Sequence, residues 1–305
     1  MDEETCRNCD APLRGAFCAA CGQRRFVDAD RRLAHLIGEG LSQITSVDGK
    51  LWRTLRLLFL KPGVLSREYI DGRRARYYSP IGLFLIASVL YFFSPALTDF
   101  NLPFADQVPG RMVLAMHGAA DPLPPERVAY LRTSAGQMHS SWTAPLVERM
   151  VARRREHDPS YSLRRLADDY DHQTGNVGKA LMIAHVPFIA LALALVFWRR
   201  RMYFAEHFVV ALHLFTFLLL FVQIVLLPVN WLVAHVALDM SALRLPLVLA
   251  TFGTLLAYIL RACRTAYRSG WGWAAIGLLG VMTGLWFANL WVYRALQFVV
   301  TLWLI

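Results

Sequence analysis

Two apolar runs joined by three arginines constrain this chain more than any other feature. Ala180 to Trp198 carries no charged side chain, and His207 to Val229 contains no Asp, Glu, Lys or Arg. At about 1.5 Å per residue, each run is long enough to cross a hydrocarbon core of about 30 Å. Arg199, Arg200 and Arg201 stop the first run and open a short loop. In loops of this length positive charge fixes sidedness, so the arginines are expected in the cytoplasm. With 56% hydrophobic residues gathered in such runs, the chain reads as an all-α polytopic membrane protein.

The flanking sequence extends the pattern to about five transmembrane helices. Arg73, Arg74 and Arg76, then Tyr77-Tyr78, lead into an apolar run that begins at Pro80, a cytoplasmic anchor followed by an interfacial aromatic belt. The spans are read as 79–97, 180–198, 207–229, 245–260 and 272–293, with residues 294–305 either prolonging the last helix or lying along the outer surface. Arg261, Arg264 and Arg268 form a second short basic loop, whereas the connection from Asn230 to Arg244 has one arginine. The bias places the N-terminus inside and the C-terminus outside. Residues 98–178 form the one large insertion, rich in prolines at first and helical in pattern over 126–138, 144–155 and 163–170. Long loops cross largely regardless of charge, so this one is read as an extracytoplasmic helical cap.

Met1 to Phe26 holds acidic residues and four cysteines where a secretory leader would be apolar, so the N-terminus is expected to stay in a reducing compartment. There Cys6, Cys9, Cys18 and Cys21, spaced C-x2-C-x8-C-x2-C, point to a tetrahedral metal site rather than disulfides. Zn2+ is the expected ion, with rubredoxin-like iron as the lesser alternative. Residues 1–25 are read as a ribbon too small to bury a core, so the metal would supply most of its folding free energy. Cys263, at the end of a span, is read as packing.

Residues 26–78 are read as cytoplasmic amphipathic helices. Leu33, Leu36, Ile37, Leu41 and Ile44, then Leu51, Trp52, Leu55, Leu58 and Phe59, recur at helical spacing. Such a helix lies either in the headgroup plane or against the protein's own membrane domain. Net charge is +10, and the first 78 residues carry 14 Lys and Arg against 10 Asp and Glu. In a membrane protein that balance points to anionic headgroups, and no aromatic interleaving calls for nucleic acid.

Several stretches carry a family resemblance: Cys18-Ala19-Ala20-Cys21-Gly22-Gln23; Lys61-Pro62-Gly63 with Glu68 to Tyr77 and Pro80; Arg200 to His207 with Leu212, His213 and Phe215; and Tyr258, Arg261 and Arg264 to Tyr267. In their order they resemble a bacterial family of integral membrane proteins, catalogued as a domain of unknown function, with a short N-terminal zinc ribbon. The resemblance implies a zinc ribbon on a bacterial inner-membrane domain and implies no activity.

Glu206 and His213 are seven residues apart, on nearly one helix face, while His207 points elsewhere. Ionisable groups at membrane depth are expensive and are functional candidates by default; the plain alternative is a neutral His213 bonded to a neighbouring helix. Gln223, Asn289 and His235 are read as interhelical hydrogen-bond formers. Arg73, Arg74, Arg76 and Tyr77 are candidates for headgroup binding. No catalytic set is expected: the chain shows no phosphate-cradling glycine loop, nucleophile elbow, HExxH or paired intramembrane carboxylates. The expected role is a non-enzymatic scaffold or regulator docking a cytoplasmic protein or the membrane surface. The competing reading is a small-molecule transporter or intramembrane enzyme using Glu206, His207 and His213.

Overall fold

The computed structural model describes residues 4–27, 32–33, 49–93, 102–117, 122–229, 231 and 241–305. In chain order its helices are α1 (Gly49–Leu60), α2 (Val64–Ile70), α3 (Pro80–Phe93), α4 (Phe104–Gln107), α5 (Gly110–Met116), α6 (Pro125–Thr133) and α7 (Ser140–His157). There follow α8 (Leu163–Leu181), α9 (His185–Val196), α10 (Phe204–Phe221), α11 (Ser241–Ala266), α12 (Trp271–Phe287) and α13 (Arg294–Leu304). No strand occurs among the described residues; the cysteine segment has only two isolated bridges, Thr5 with Pro12 and Phe17 with Arg24.

Four helical stretches among these residues are long and apolar enough to cross a membrane: Leu163–Val196, Phe204–Val229, Leu245–Ala266 and Trp271–Leu304. Pro80–Phe93 is a shorter apolar helix of 14 residues, about 21 Å long, where a first span over 79–97 was expected. Residues 94–101 lie outside the description. Leu163–Val196 and Trp271–Leu304 each count 34 residues, well beyond the roughly 20 that a membrane crossing needs. Hydropathy marks only their apolar parts, which is why the sequence did not show where these helices end.

The chain forms two compact units, Met1–Leu97 with Val186–Leu285, and Thr98–His185 with Trp286–Ile305. In the first, α10 is the centre. Nearly every side chain from Ala205 to Phe221 is buried, and α1, α2, α3 and α11 pack around it. A helix apolar on all sides is one enclosed by other helices. The edge of α1 that faces inward is made by Thr54, Leu58 and Phe59, whose ring meets Phe217 at 5.4 Å. Trp52, expected on the apolar face, is 75% exposed. Thr54 joins α1 to the start of α3: its Oγ1 donates to the Lys50 carbonyl at 2.7 Å and accepts from the Tyr78 amide at 2.9 Å. The remaining amphipathic pattern, Leu36 to Ile44, lies outside the described residues.

Small residues let α9 and α12 approach closely. A Cβ on Gly284 would stand 3.2 Å from the Ala192 Cβ and 3.0 Å from the Phe188 carbonyl oxygen, and one on Gly280 would stand 2.9 Å from a Val196 methyl. Gly280 and Gly284 form the small-x-x-x-small spacing by which membrane helices pack backbone to backbone. That signal was present in the sequence and was not read there.

In the second unit α13 packs along α8. Phe298 and Tyr170 are fully buried with Phe104 between the helices and α4. Gln297 donates to Thr174 Oγ1 at 3.0 Å, and the Tyr293 hydroxyl donates to the Gly178 carbonyl at 2.9 Å. Residues 294–304 thus prolong the last helix and bury one face on α8, whose other face carries Arg164, Arg165 and Asp168. Helices α6 and α7 stand where helical pattern was expected in the insertion.

Candidate metal centre and its docking loop

The cysteine segment is two copies of one turn. After each Cys-x-x-Cys, one residue takes a left-handed conformation: Asp10 at φ 60° and Gly22 at φ 71°. Its amide then donates back to the first cysteine's carbonyl, Asp10 to Cys6 and Gly22 to Cys18, both at 2.8 Å. Glycine meets this requirement without cost, and aspartate is among the residues that tolerate it. The first turn's Asp10 went unrecognised in the sequence because no glycine marks it.

Folding the two turns together brings all four sulfurs within 4.8 Å of one another. A metal bonded tetrahedrally at about 2.3 Å would set its sulfurs about 3.8 Å apart. Cys6 to Cys21 and Cys9 to Cys18 are each separated by 3.6 Å. The tetrad therefore fits a metal ion, and among the described residues the segment's buried core is Leu13 with Cys6 and Cys18. Its protons are shared unevenly. Burial opposes ionisation of Cys21, yet the Asn8 side chain, the Gln23 backbone and the Cys9 and Cys6 thiols outweigh it and lower Cys21 to about 6. At Cys9 the Ala11 backbone favours the thiolate but is outweighed by Cys21, burial, Cys18 and Cys6, which push it up to about 12. A dense thiol cluster with one acidic member is a donor set suited to a thiophilic cation.

Gln23, two residues past the last cysteine, ties the ribbon to the loop after α2. Its Nε2 donates to the Gly72 carbonyl at 2.6 Å, and its Oε1 accepts from the Arg74 and Ala75 amides at 3.1 Å each. Around this clamp the Arg76 guanidinium donates to the Asn8 carbonyl at 3.2 Å, and Arg74 lies over the Phe26 and Tyr69 rings at 4.8 and 4.2 Å. Gly72 sits at φ 89° against the Arg7 side chain, where a Cβ would come within 2.9 Å. The arginines expected to hold a headgroup are thus engaged with protein. Arg73 pairs with Glu68 and Asp71, which holds its guanidinium above the usual range, mainly through the Glu68 hydrogen bond. The Tyr77 hydroxyl is raised mainly by burial.

The loop in turn meets the two short basic turns. Asp71 accepts from Arg67, Arg73 and Arg268, the last at 3.1 Å, and Arg200 donates to the Arg268 carbonyl at 3.5 Å. Three basic segments expected on one side of the membrane are therefore linked in series through Arg268. Behind them Gly63, at φ 80°, presses on the Ala262 backbone of α11, and the Tyr258 hydroxyl donates to the Leu58 carbonyl at 2.7 Å.

Glu206, His207 and His213 engage three different neighbours and do not converge. Glu206 caps its own helix, its Oε2 accepting from the Tyr203 amide at 3.0 Å, as a first-turn carboxylate does. His207 Nδ1 lies 2.9 Å from the hydroxyl of Tyr267, which stacks on Phe197 at 3.8 Å. His213 Nδ1 lies 2.9 Å from Ser66 Oγ of α2. Its Nε2 has no partner among the described residues, beside a cavity of about 10 Å³ that Lys61, Gly63 and Tyr258 help to line, room for one water. Gln223 departs from expectation: its Nε2 is buried without a partner among the described residues, at a turn of π-helix where the helical register shifts. Asn289 sits in a second such turn, Ala288–Tyr293, and His235 lies outside the described residues.

Among known families, one described as a protein of unknown function (DUF3667) matches residues 48–92. The match includes Lys61-Pro62-Gly63 and the Glu68 to Tyr77 loop that receives Gln23. No curated protein matches, and no solved structure matches.

Proposed function

We propose that this is a bacterial inner-membrane protein that works without catalysing a reaction, as a scaffold or regulator, and that its cysteine ribbon holds Zn2+ on the cytoplasmic side. The observation that carries this reading is the clamp of Gln23 on Gly72, Arg74 and Ala75. It makes the ribbon a rigid extension of the juxtamembrane loop. Four thiolates complete a zinc ion's coordination and leave no position for a substrate, so the ion's work there is structural. The metal would fold the ribbon, and the ribbon would offer its outward face to a cytoplasmic protein or the membrane surface. That face includes Phe17, which is 63% exposed. Nothing in the surroundings of Glu206, His207 and His213 favours transport or catalysis.

The test is site-specific photocrosslinking in cells from residue 17, in the wild type and in Cys9→Ser/Cys21→Ser, with membrane insertion followed in parallel. The expected result is a discrete protein or lipid adduct that disappears in the double variant while insertion persists. An unchanged adduct in a variant shown to carry no metal would refute the reading.

A further inference from the structure

The turn between α9 and α10 and the turn between α11 and α12 form one seam. Arg200 reaches the Arg268 carbonyl, and Phe197 stacks on Tyr267 beneath. Arg199, Arg200, Arg201, Arg261, Arg264 and Arg268 are all exposed here. Asp71 answers Arg268, and Glu206 is buried in its cap, so the seam keeps a strong positive excess. Two helices, α10 and α12, also begin at it and add the positive ends of their dipoles. Exposed rings stand among the arginines: Trp198 at 67%, Tyr203 and Trp271 at 52% and Trp273 at 48%. Arg264 lies over the Trp271 ring at 4.2 Å and Arg199 over Trp198 at 5.4 Å, which restrains both guanidiniums before any anion arrives.

We propose that this seam binds the phosphate headgroup of an anionic membrane phospholipid, through Arg199, Arg201 and Arg264, with the lipid's glycerol and upper acyl chain against Trp198 and Trp271. The charge selects a net-anionic phospholipid over a zwitterionic one, since both carry a phosphodiester but the choline of the latter would meet the same arginines unfavourably. The exposed aromatic rings select a lipid over a free ion. They sit at the ends of apolar helices, where indole rings prefer the headgroup level, and an open seam gives a small anion no enclosure.

The full chain, purified in a neutral detergent, would be titrated with short-chain phosphatidylglycerol, with phosphatidylcholine of the same chain length, or with inorganic phosphate, reading the thermal midpoint. Native mass spectrometry would count retained lipid. Phosphatidylglycerol should raise the midpoint by about 3 °C or more and the other two should not. The triple variant Arg199→Gln/Arg201→Gln/Arg264→Gln should lose that shift, while Arg132→Gln/Arg149→Gln/Arg153→Gln keeps it. Equal stabilisation by phosphatidylcholine or by phosphate would overturn the proposal, as would a shift that survives in the first triple variant. If that variant fails to insert, Arg→Lys at the same positions keeps the topological charge but not the bidentate fork. A weakened preference for phosphatidylglycerol then supports the site, and an unchanged one overturns it.

Discussion

Gln23 Nε2 donates to the Gly72 carbonyl at 2.6 Å across 49 residues of sequence. This one amide makes three of the contacts that join the cysteine ribbon to the juxtamembrane loop, because the same side chain also accepts from the Arg74 and Ala75 amides. Replacing it by alanine would leave three backbone groups without their partner, at a cost of about 1–3 kcal/mol. Gln23→Ala should therefore retain its metal but exchange the Arg74 and Ala75 amides at least about tenfold faster, as read by hydrogen–deuterium exchange. Unaltered protection of both amides would show that the clamp does not hold the loop.

About one metal ion per chain should accompany the wild-type protein, and none the variant with Cys6, Cys9, Cys18 and Cys21 changed to Ser. Elemental analysis of detergent-purified protein decides this. Zinc is the expected element, and iron would reassign the site. Because thiolates and not thiols bind metal, the ion should be lost as pH falls, and its release should be measurable with a chromogenic chelator. Metal that stays in the quadruple variant would direct attention to the histidines instead.

His139 is 3% exposed, and neither ring nitrogen has a partner among the described residues. Burial, assisted by Arg294, lowers it from 6.5 to about 4. The sign follows directly: the folded state prefers the neutral ring, so the unfolded chain binds more protons between those values. Stability is complete above about pH 6.5 and declines as pH falls toward 4, by between about 1 and 3 kcal/mol. Thermal unfolding of the wild type and His139→Phe from pH 7 to 4 should show a steeper fall in the wild type; parallel curves would contradict it.

Gly63 carries a left-handed φ of 80°, and a Cβ there would stand 2.9 Å from the Ala262 Cα and from the Thr265 Cβ. Both the backbone conformation and the close approach disfavour any side chain. Gly63→Ala should destabilise the protein by about 2 kcal/mol or more, visible as a lowered thermal midpoint. Gly49, which has no described residue within 4 Å of its own Cβ position, is the control, and Gly49→Ala should leave the midpoint within about 1 °C. A Gly63→Ala protein as stable as the Gly49→Ala control would remove the close-packing argument.

How much of this was legible beforehand depends on how local the signal is. The apolar runs around Arg199 to Arg201 announced helices because a long charge-free stretch is a property of consecutive residues. The four-cysteine spacing announced a cluster of four thiols able to hold a metal ion for the same reason. Asp10 escaped notice since a left-handed aspartate looks like any other, and Gly280 with Gly284 was readable but unread. The headgroup role expected of Arg73, Arg74 and Arg76 rested on their charge alone. Charge does not say that Glu68, Tyr69, Phe26 and the Asn8 carbonyl already stand within reach.

The sequence by itself thus determined the chemical class of this protein: which segments avoid water, which turns are basic and which four thiols share a site. Each follows from transfer free energy or ligand spacing, quantities that act over a few neighbouring residues. Only the tertiary structure decided who meets whom. Gln23 finds a backbone carbonyl, which every residue possesses and no sequence distinguishes. His213 finds Ser66 across 147 residues and His207 finds Tyr267 across 60. Such pairs are fixed by the packing of α2, α10 and α11, and packing is a property of the whole fold.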